Sequence, residues 1–203
     1  MGLVQATAEV EVPQVEASFV FKNDILIVST GTAWCSNLIH LAETVDKWEQ
    51  GTLVSARTPA YQHSDRNNDV VMIDGINHPD FAPIKERLDR LIGQCAGLYR
   101  VLNKHIGITQ VTGLQLLRYK QGQHFHEHVD NIAGHPTWGQ RQLSVVFYLN
   151  DDYEGGEISF QRQAQVIKPK AGDVLLFPSH FTHPHASLDV RSGVKYAVVT
   201  WFV

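Results

Sequence analysis

Apolar and polar positions in the first half of the chain follow a helical period in two segments. In residues 34–48, apolar side chains recur every three or four positions, with glutamate, aspartate and lysine between them. Residues 83–104 repeat the pattern over a longer stretch. Because this spacing places apolar side chains on one face of a helix, it predicts two amphipathic helices. The polar stretch 55–69 between them is rich in turn-forming residues and predicts a long loop.

The second half of the chain changes to the period of β-strands. Short alternating or continuous apolar runs are separated by Gly, Asn-Asp and Pro breaks, and runs recurring about every 8–12 residues are typical of an antiparallel sandwich or barrel. The order of these patterns predicts an α+β fold. We expect a single domain over residues 1–203, with a helical N-terminal part at about 1–110 and a jelly-roll core at about 111–203.

Composition narrows the class of protein. The 203 residues are 43% hydrophobic and 19% charged, which is enough apolar material for a sizeable core. The formal net charge is −4 and no Lys/Arg run occurs, so nucleic acid is not an expected partner. No apolar run approaches the roughly 18 residues that span a bilayer, and the N-terminal stretch lacks the positive charge of a secretory signal. We therefore expect a cytoplasmic protein with no membrane partner.

Histidines are concentrated in the predicted β region, where seven of the eleven lie in residues 124–185. His128 and Asp130 stand two positions apart, which on a strand places both side chains on one face. A third metal ligand would come from a downstream cluster of three histidines: His180, His183 and His185. Two histidines and one carboxylate on one face of a metal form the facial triad of non-haem Fe(II) oxygenases. The pattern therefore indicates such a site.

Spacing alone does not choose the ligands, because His124, His126, His128 and Asp130 would all share a face of an ideal strand. The pair formed by His126 and His128 is also of the kind that cupins use, although residues 130–134 lack the Glu of the cupin pattern. The alternative function is therefore a cupin-like metal or small-ligand binding protein without oxidative turnover. It would use His126, His128 and His185.

Four motifs between residue 114 and the end of the chain resemble one known family. They are QLLRYKQGQHFHEHVD (115–130), RQLSVVFYLN with GGEISF (141–150 and 155–160), PKAGDVLLF (169–177), and a histidine ten residues before a lysine (185 and 195). Together they resemble the 2-oxoglutarate/Fe(II)-dependent oxygenases of the prolyl 4-hydroxylase type. Ile158, Asp189 and Ala186 depart from the residues that this family often has at those positions.

The resemblance implies a double-stranded β-helix (jelly-roll) core with flanking N-terminal helices. It also implies Fe(II), 2-oxoglutarate as co-substrate and O2, with ascorbate as a possible further requirement. By resemblance the metal ligands are His128, Asp130 and His185, since only His185 keeps the family's spacing to the lysine. Lys195 and Tyr119 would then bind the far carboxylate of 2-oxoglutarate.

The resemblance further implies a hydroxylase that releases succinate and CO2 and acts on peptidyl proline or a related peptide, protein or small-molecule substrate. By resemblance Arg141 faces that substrate, and Trp201, six residues after Lys195, would wall the site. The loop at 55–69 is a candidate lid over the substrate. The sequence leaves open the hydroxylated atom, the oligomeric state and the roles of four histidines: His124, His126, His180 and His183.

Overall fold

The computed structural model describes residues 16–46, 48–53, 62–76 and 79–203. In the N-terminal half the elements are β1 (Glu16–Phe21), β2 (Ile25–Ser29), α1 (Cys35–Glu43), β3 (Glu49–Gln50), β4 (Asp69–Met72) and α2 (Phe81–Leu102). The C-terminal half contains β5 (Gln115–Tyr119), β6 (Phe125–His128), β7 (Leu143–Tyr148), β8 (Glu154–Gly155), β9 (Ile158–Phe160), β10 (Gln165–Ile167), β11 (Asp173–Pro178), β12 (His185–Ser187), β13 (Val190–Ser192) and β14 (Lys195–Phe202).

Eight strands form a major sheet in the order β1-β2-β11-β7-β14-β5-β4-β3, and every neighbouring pair is antiparallel. All eight residues of β14 are buried, as are five of the six in β11. A strand covered on both faces carries a continuous apolar run, which is why these two strands lack the alternation of a half-exposed strand.

A minor sheet of four strands, in the order β10-β9-β12-β6, packs against one face of the major sheet. Phe160 of the minor sheet and Phe177 of the major sheet are fully buried between them, with ring centroids 4.9 Å apart in an edge-to-face arrangement. Strands β8 and β13 form a separate antiparallel pair beside this layer. The C-terminal half is therefore a sandwich of two antiparallel sheets.

Both helices pack against the opposite face of the major sheet. Leu38 of α1 and Leu88 of α2 are fully buried in one cluster with Leu116, Phe147 and other sheet residues. Each such side chain contributes roughly 1.5–3 kcal/mol when it is removed from water. None of the helices in the described ranges is long and apolar enough to cross a membrane.

The two predicted helices are present, with shifted ends. The first was expected over 34–48 but ends at Glu43, because the hydroxyl of Thr44 donates to the Leu41 carbonyl at 2.7 Å and closes the last turn. The second was expected over 83–104 and spans Phe81–Leu102. Asn103 leaves the helical conformation and its amide donates to the carbonyls of Tyr99 and Asn23.

The description of residues 1–110 as a helical flank needs correction within the described residues. Strands β1 to β4 also belong to this part, and β2 pairs with β11 at the register Leu26 to Leu176. The runs around Phe19 and in 25–28 are too short for helices and rich in residues that favour strands. The N-terminal part thus supplies four strands of the major sheet as well as two helices.

The predicted lid at 55–69 is described only from residue 62 onward, since 54–61 lie outside the described residues. The described part lies along β6. Arg66 forms a β-bridge with Phe125, and the backbone N–H of His126 donates to the Asp65 carbonyl at 2.7 Å. Closure of this segment over a substrate stays a prediction.

Candidate functional site

His128, Asp130 and His185 meet at the edge of the minor sheet. His128 ends β6, His185 begins β12, and the two stand opposite each other in the antiparallel register. The Nε2 atom of His128 lies 3.5 Å from Oδ1 of Asp130, and the Nε2 atom of His185 lies 3.7 Å from Oδ2. One ligand atom from each residue falls within 4.8 Å of the others. The structure therefore brings together the three residues that were predicted as metal ligands.

Backbone carbonyls fix the orientation of both imidazoles. Nδ1 of His128 lies 2.8 Å from the His126 carbonyl, and Nδ1 of His185 lies 3.1 Å from the His183 carbonyl. A carbonyl only accepts, so each Nδ1 carries a proton and each ring directs its Nε2 toward Asp130. This arrangement of a ligand's other nitrogen is usual for metal-binding histidines.

The carboxylate of Asp130 is buried and also accepts a hydrogen bond from a serine hydroxyl. The Ser144 hydroxyl donates to Oδ2 at 2.6 Å and lies 2.8 Å from the Ser179 hydroxyl. Burial alone would raise the pKa of Asp130, but His185, His128 and the Ser144 hydroxyl outweigh it and hold that pKa well below its ordinary value. Burial and the neighbouring His128 lower the pKa of His185 to about 4. At neutral pH the site therefore presents one carboxylate and a neutral His185.

The ammonium of Lys195 lies deeper in the same space and is 3% exposed. Its Nζ donates to the Gly156 carbonyl and to the Ser187 hydroxyl, each at 2.8 Å. No carboxylate of the described residues forms an ion pair with it. Burial and the charge of Lys168, opposed by Glu157, lower the pKa of Lys195 to about 7. An ammonium has three donors, so one N–H remains for an anionic ligand.

Gly156 makes the approach of this lysine possible. Its φ of +62° disfavours other residues, and a Cβ there would lie 3.2 Å from Cδ of Lys195 and 2.9 Å from Tyr153. Tyr119 stands opposite Lys195 in the pairing of β5 with β14, and the Lys195 Nζ lies 4.9 Å from its ring centroid. Burial raises the pKa of Tyr119 to about 12, so its hydroxyl keeps a proton to donate.

Arg141 and Trp201 line the same space as the ligand residues. The Arg141 guanidinium carbon lies 3.4 Å from the Trp201 ring centroid and 4.8 Å from that of Trp138. Its Nη1 donates to the backbone carbonyl of Asp130 at 3.3 Å. Burial lowers the pKa of Arg141 to about 10, which leaves the group charged at neutral pH. Both residues implied to face a substrate thus lie beside the candidate metal site.

A cavity of about 140 Å³ joins these groups between the two sheets. Its wall also includes residues to which the sequence interpretation had assigned no individual role, among them Thr52, Arg66 and Ser187. Ser144 belongs to a sequence motif in which it had no assigned role, and its hydroxyl donates to Asp130. Arg66 lies in the predicted loop, and nothing in the spacing of the sequence distinguishes it from the other polar residues there.

The remaining histidines of the cluster point elsewhere. The His126 ring is exposed and its Nδ1 lies 3.2 Å from Asp65, while the His124 Nδ1 lies 2.8 Å from Asp189. His180 meets the Gln142 side chain at 2.9 Å, and His183 lies beside Thr182. Since only the backbone carbonyl of His126 reaches the site, the set of ligands proposed for a cupin-like protein is wrong.

Known proteins resemble this chain over the half that carries the site, and some of them over most of its length. Residues 114–203 match the family model described as 2OG-Fe(II) oxygenase superfamily. A protein of Acanthamoeba polyphaga mimivirus named "Putative prolyl 4-hydroxylase" is 27% identical over 185 residues, which cover 82% of this chain and 72% of that protein. A PKHD-type hydroxylase of a Psychrobacter strain is 43% identical over 91 residues, covering 41% of this chain and 34% of its own length.

Solved structures show the same fold. A prolyl hydroxylase from Trichoplax adhaerens, solved with a hypoxia inducible factor peptide fragment, superposes with a TM-score of 0.66 at 22% identity, covering 89% of this chain and 83% of that one. The viral collagen prolyl hydroxylase of Paramecium Bursaria Chlorella virus-1 gives 0.62 at 19% identity, covering 93% and 94%. This likeness shows the fold of these jelly-roll proteins.

Proposed function

We propose that this chain, whose residues 114–203 match the 2OG-Fe(II) oxygenase superfamily, is an oxygenase of that family and hydroxylates a prolyl residue or a related substrate. Membership of this family implies Fe(II) and 2-oxoglutarate. In the proposed reaction 2-oxoglutarate and O2 are converted to succinate and CO2, and one oxygen atom enters a C–H bond of the substrate. Relatives with prolyl hydroxylase names support the choice of substrate.

The convergence of two imidazole Nε2 atoms on one carboxylate carries this proposal. With both Nδ1 protons held by carbonyls, the Nε2 atoms of His128 and His185 face Asp130 at 3.5 and 3.7 Å. Such an arrangement is repulsive unless a cation lies among the three groups. Two imidazoles and one carboxylate suit Fe(II) and leave coordination positions open. The donor set therefore fits this metal, which when bound supplies the oxidative chemistry.

The groups around Lys195 fit the far carboxylate of 2-oxoglutarate. A buried ammonium without an anionic partner is costly, and its one free N–H is available to a carboxylate oxygen. The protonated hydroxyl of Tyr119 is a second donor on the opposing strand. We assign Lys195 and Tyr119 to hold that end of the co-substrate, so that its keto acid end lies toward His128 and His185.

Arg141 and Trp201 would position the substrate on the other side of the ligands. The stacked guanidinium is held by the rings of Trp138 and Trp201, so little of its freedom is lost when it donates to a substrate. The largely apolar walls of the cavity exclude water from the reacting atoms. O2 is required by this chemistry, and ascorbate would serve only to keep the iron reduced.

Succinate formation is the measurement that tests the proposed function. Fe(II) protein prepared without oxygen is mixed with 2-oxoglutarate, with and without proline-rich peptides, and O2 is admitted. We expect succinate to depend on iron and O2 and to increase with a peptide that is hydroxylated. His185→Ala and Asp130→Ala should lower succinate formation below detection, because two remaining ligands hold Fe(II) poorly.

His180→Ala is the matched control, since this histidine belongs to the same downstream cluster and bonds Gln142 instead. It should keep succinate formation within about twofold, in line with the small effect of most changes away from a site. Tight Fe(II) binding by the wild-type protein without succinate under any condition would overturn the proposal and leave a metal-binding protein without turnover.

A further inference from the structure

Two arginines face the candidate active-site cavity, and one of them comes from outside the matched residues 114–203. Arg66 lies half-buried in the wall, with its guanidinium carbon 4.7 Å from the ring centroid of Phe125. Its Nε donates to the Asn68 side chain and its Nη1 to the Thr52 carbonyl, each at 3.0 Å. Nη2 has no acceptor among the described residues. Two nitrogen atoms of the Arg66 guanidinium are thus held by the protein, and Nη2 remains available to a ligand.

Arg141 is held in a similar way but is more deeply buried, at 6% exposure. Its guanidinium is stacked on two indole rings, and its one hydrogen bond goes to a backbone carbonyl. The buried Nε has no hydrogen-bond partner within the described ranges. Neither arginine forms an ion pair with a carboxylate of the described residues. Within the described residues, two buried or half-buried cations therefore share one cavity without a direct carboxylate partner, and only the charge of Asp130 acts on both.

The charges of the residues that line the proposed site indicate the charge of the substrate. The charged lining residues in the described part of the chain are Arg66, Asp130, Arg141 and Lys195. Fe(II), the doubly negative 2-oxoglutarate, Asp130 and Lys195 together sum to zero. The charge of both arginines remains after metal and co-substrate are bound. Since an uncompensated buried charge is costly, the component still absent, the substrate, is the one to neutralise it.

We infer that the substrate carries a carboxylate close to the hydroxylated carbon, and that Arg66 and Arg141 bind it from opposite sides. This inference rests on the proposed function and names the substrate class for it. A guanidinium fork matches the planar geometry of a carboxylate. The contact of Arg141 with the carbonyl of a ligand residue, Asp130, places that carboxylate near the reacting atoms, as in a proline at a free C-terminus or beside an acidic residue.

Acidic residues in the groove outside the cavity limit the positively charged region to the cavity itself. A larger groove of about 740 Å³ adjoins the cavity and shares Thr52, Arg66 and Trp138 with it. Carboxylates of Asp46 and Glu49 line that groove, so acidity spread along a substrate would be repelled there. The expected preference is therefore for one carboxylate at a defined position, not for acidic peptides in general.

The test compares two forms of one peptide, acetyl-Ala-Ala-Pro with a free C-terminal carboxylate and the same peptide as its amide. Binding to the Fe(II) and 2-oxoglutarate complex is measured by calorimetry without oxygen. We expect the carboxylate form to bind roughly ten- to hundredfold more tightly, as for a lost charge-assisted hydrogen bond. Equal affinities, or no binding of either form at millimolar concentration, would overturn the inference.

Three variants assign the preference to Arg66. Arg66→Gln should remove most of the preference for the carboxylate, and Arg66→Lys should restore part of it by returning the charge. Arg90→Gln, on the exposed face of α2 where Arg90 pairs with Glu86, is the control and should keep the preference. Melting temperatures show whether each variant is folded. A folded Arg66→Gln protein with the full preference would contradict the assignment.

Succinate formation in the same preparations separates the two proposals. A wild-type protein that forms succinate from 2-oxoglutarate but binds acid and amide equally would disprove only the substrate inference. A wild-type protein that forms no succinate would disprove the proposed function itself. If Arg66→Gln raises the KM for 2-oxoglutarate and leaves the peptide preference unchanged, Arg66 serves the co-substrate and the inference is wrong.

Discussion

The two faces of strand β14 are equally buried but differ in their chemistry. Side chains that point toward α1 and α2 are mainly apolar or aromatic and belong to the main core: Tyr196, Val198 and Phe202. Side chains of the alternate positions line the cavity: Lys195, Ala197, Val199 and Trp201. Strand β5 repeats the division, with Leu116 on the helix side and Gln115 and Tyr119 on the cavity side.

This difference separates stability from function along a single strand. On the helix side, burial of apolar area stabilises the fold, and the hydroxyls of Tyr196 and Thr200 on this face of β14 donate to Glu43 and to the Thr112 carbonyl. On the cavity side, two groups lower stability until a ligand binds them. Among the described residues the ammonium of Lys195 has no anionic partner, and the indole N–H of Trp201 has no hydrogen-bond partner. Because successive side chains of a strand point to opposite faces, mutations on the helix side of the sheet should lower stability, and mutations on the cavity side should impair ligand binding.

The largest contrast is expected between Lys195→Ala and Leu116→Ala. Lys195→Ala removes the proposed partner of the 2-oxoglutarate carboxylate and should raise its KM roughly ten- to hundredfold, with Fe(II) affinity unchanged. Leu116→Ala should lower the free energy of unfolding by about 2–5 kcal/mol through the cavity that it leaves. Its KM for 2-oxoglutarate should stay at the wild-type value.

Denaturant unfolding and steady-state kinetics on both variants measure this contrast. Removing a buried cation that lacks an anionic partner should leave stability equal or higher in Lys195→Ala. If this variant instead lost as much stability as Leu116→Ala while keeping its KM, the lysine would be a structural residue and the division between the two faces would fail.

An effect on metal affinity alone is expected from Ser144→Ala, which removes the hydroxyl that donates to Asp130. Changes of this kind beside a metal ligand typically weaken metal affinity about 10- to 100-fold. A titration with Fe(II) without oxygen measures it, with Ser192→Ala at the exposed end of β13 as control. An unchanged affinity would show that the bond to Ser144 does not orient the carboxylate.

The sequence predicted that His128 and Asp130 lie together because their separation is local. His128 ends β6 and Asp130 lies in the bend two residues later, so their nearness does not require both to be on the strand. The choice of His185 over its neighbours came from the resemblance, since His180 and His183 have the same chemistry. Their separation depends on how residues 178–185 turn before β12, which no local pattern reveals.

The opposite wall could not be predicted from the sequence. Arg66 reaches the cavity only because β4 pairs with β5 and the preceding segment lies against Phe125. Both contacts join residues about fifty positions apart. Similarly, β1 and β2 have no obvious partner until β11 is in place. Helical periods were detected because they are local, whereas the partners of a strand are set by the whole sheet.

The smallest expected effect is the change of the KM for 2-oxoglutarate with pH, which follows from the titration of Lys195. Burial and Lys168 lower the pKa of Lys195 to about 7, against the opposing charge of Glu157. Only the ammonium form attracts a carboxylate, so the apparent KM for 2-oxoglutarate should be nearly constant below about pH 6 and rise most steeply above pH 7. Between pH 7 and pH 8 the charged fraction falls enough for a rise of roughly fivefold.

The free energy of unfolding should also depend on pH through the titration of Lys195. The pKa of Lys195 is lower in the folded protein than its ordinary value of 10.5, so the unfolded chain binds more protons between these values and stability increases with pH in that window.

Lys195→Arg is the decisive variant for the pH dependence of the KM, because a guanidinium remains charged across the range. Its KM for 2-oxoglutarate should not change between pH 7 and pH 8. A rise as large as that of the wild-type protein would assign the titration to another group and remove Lys195 from the binding of the co-substrate.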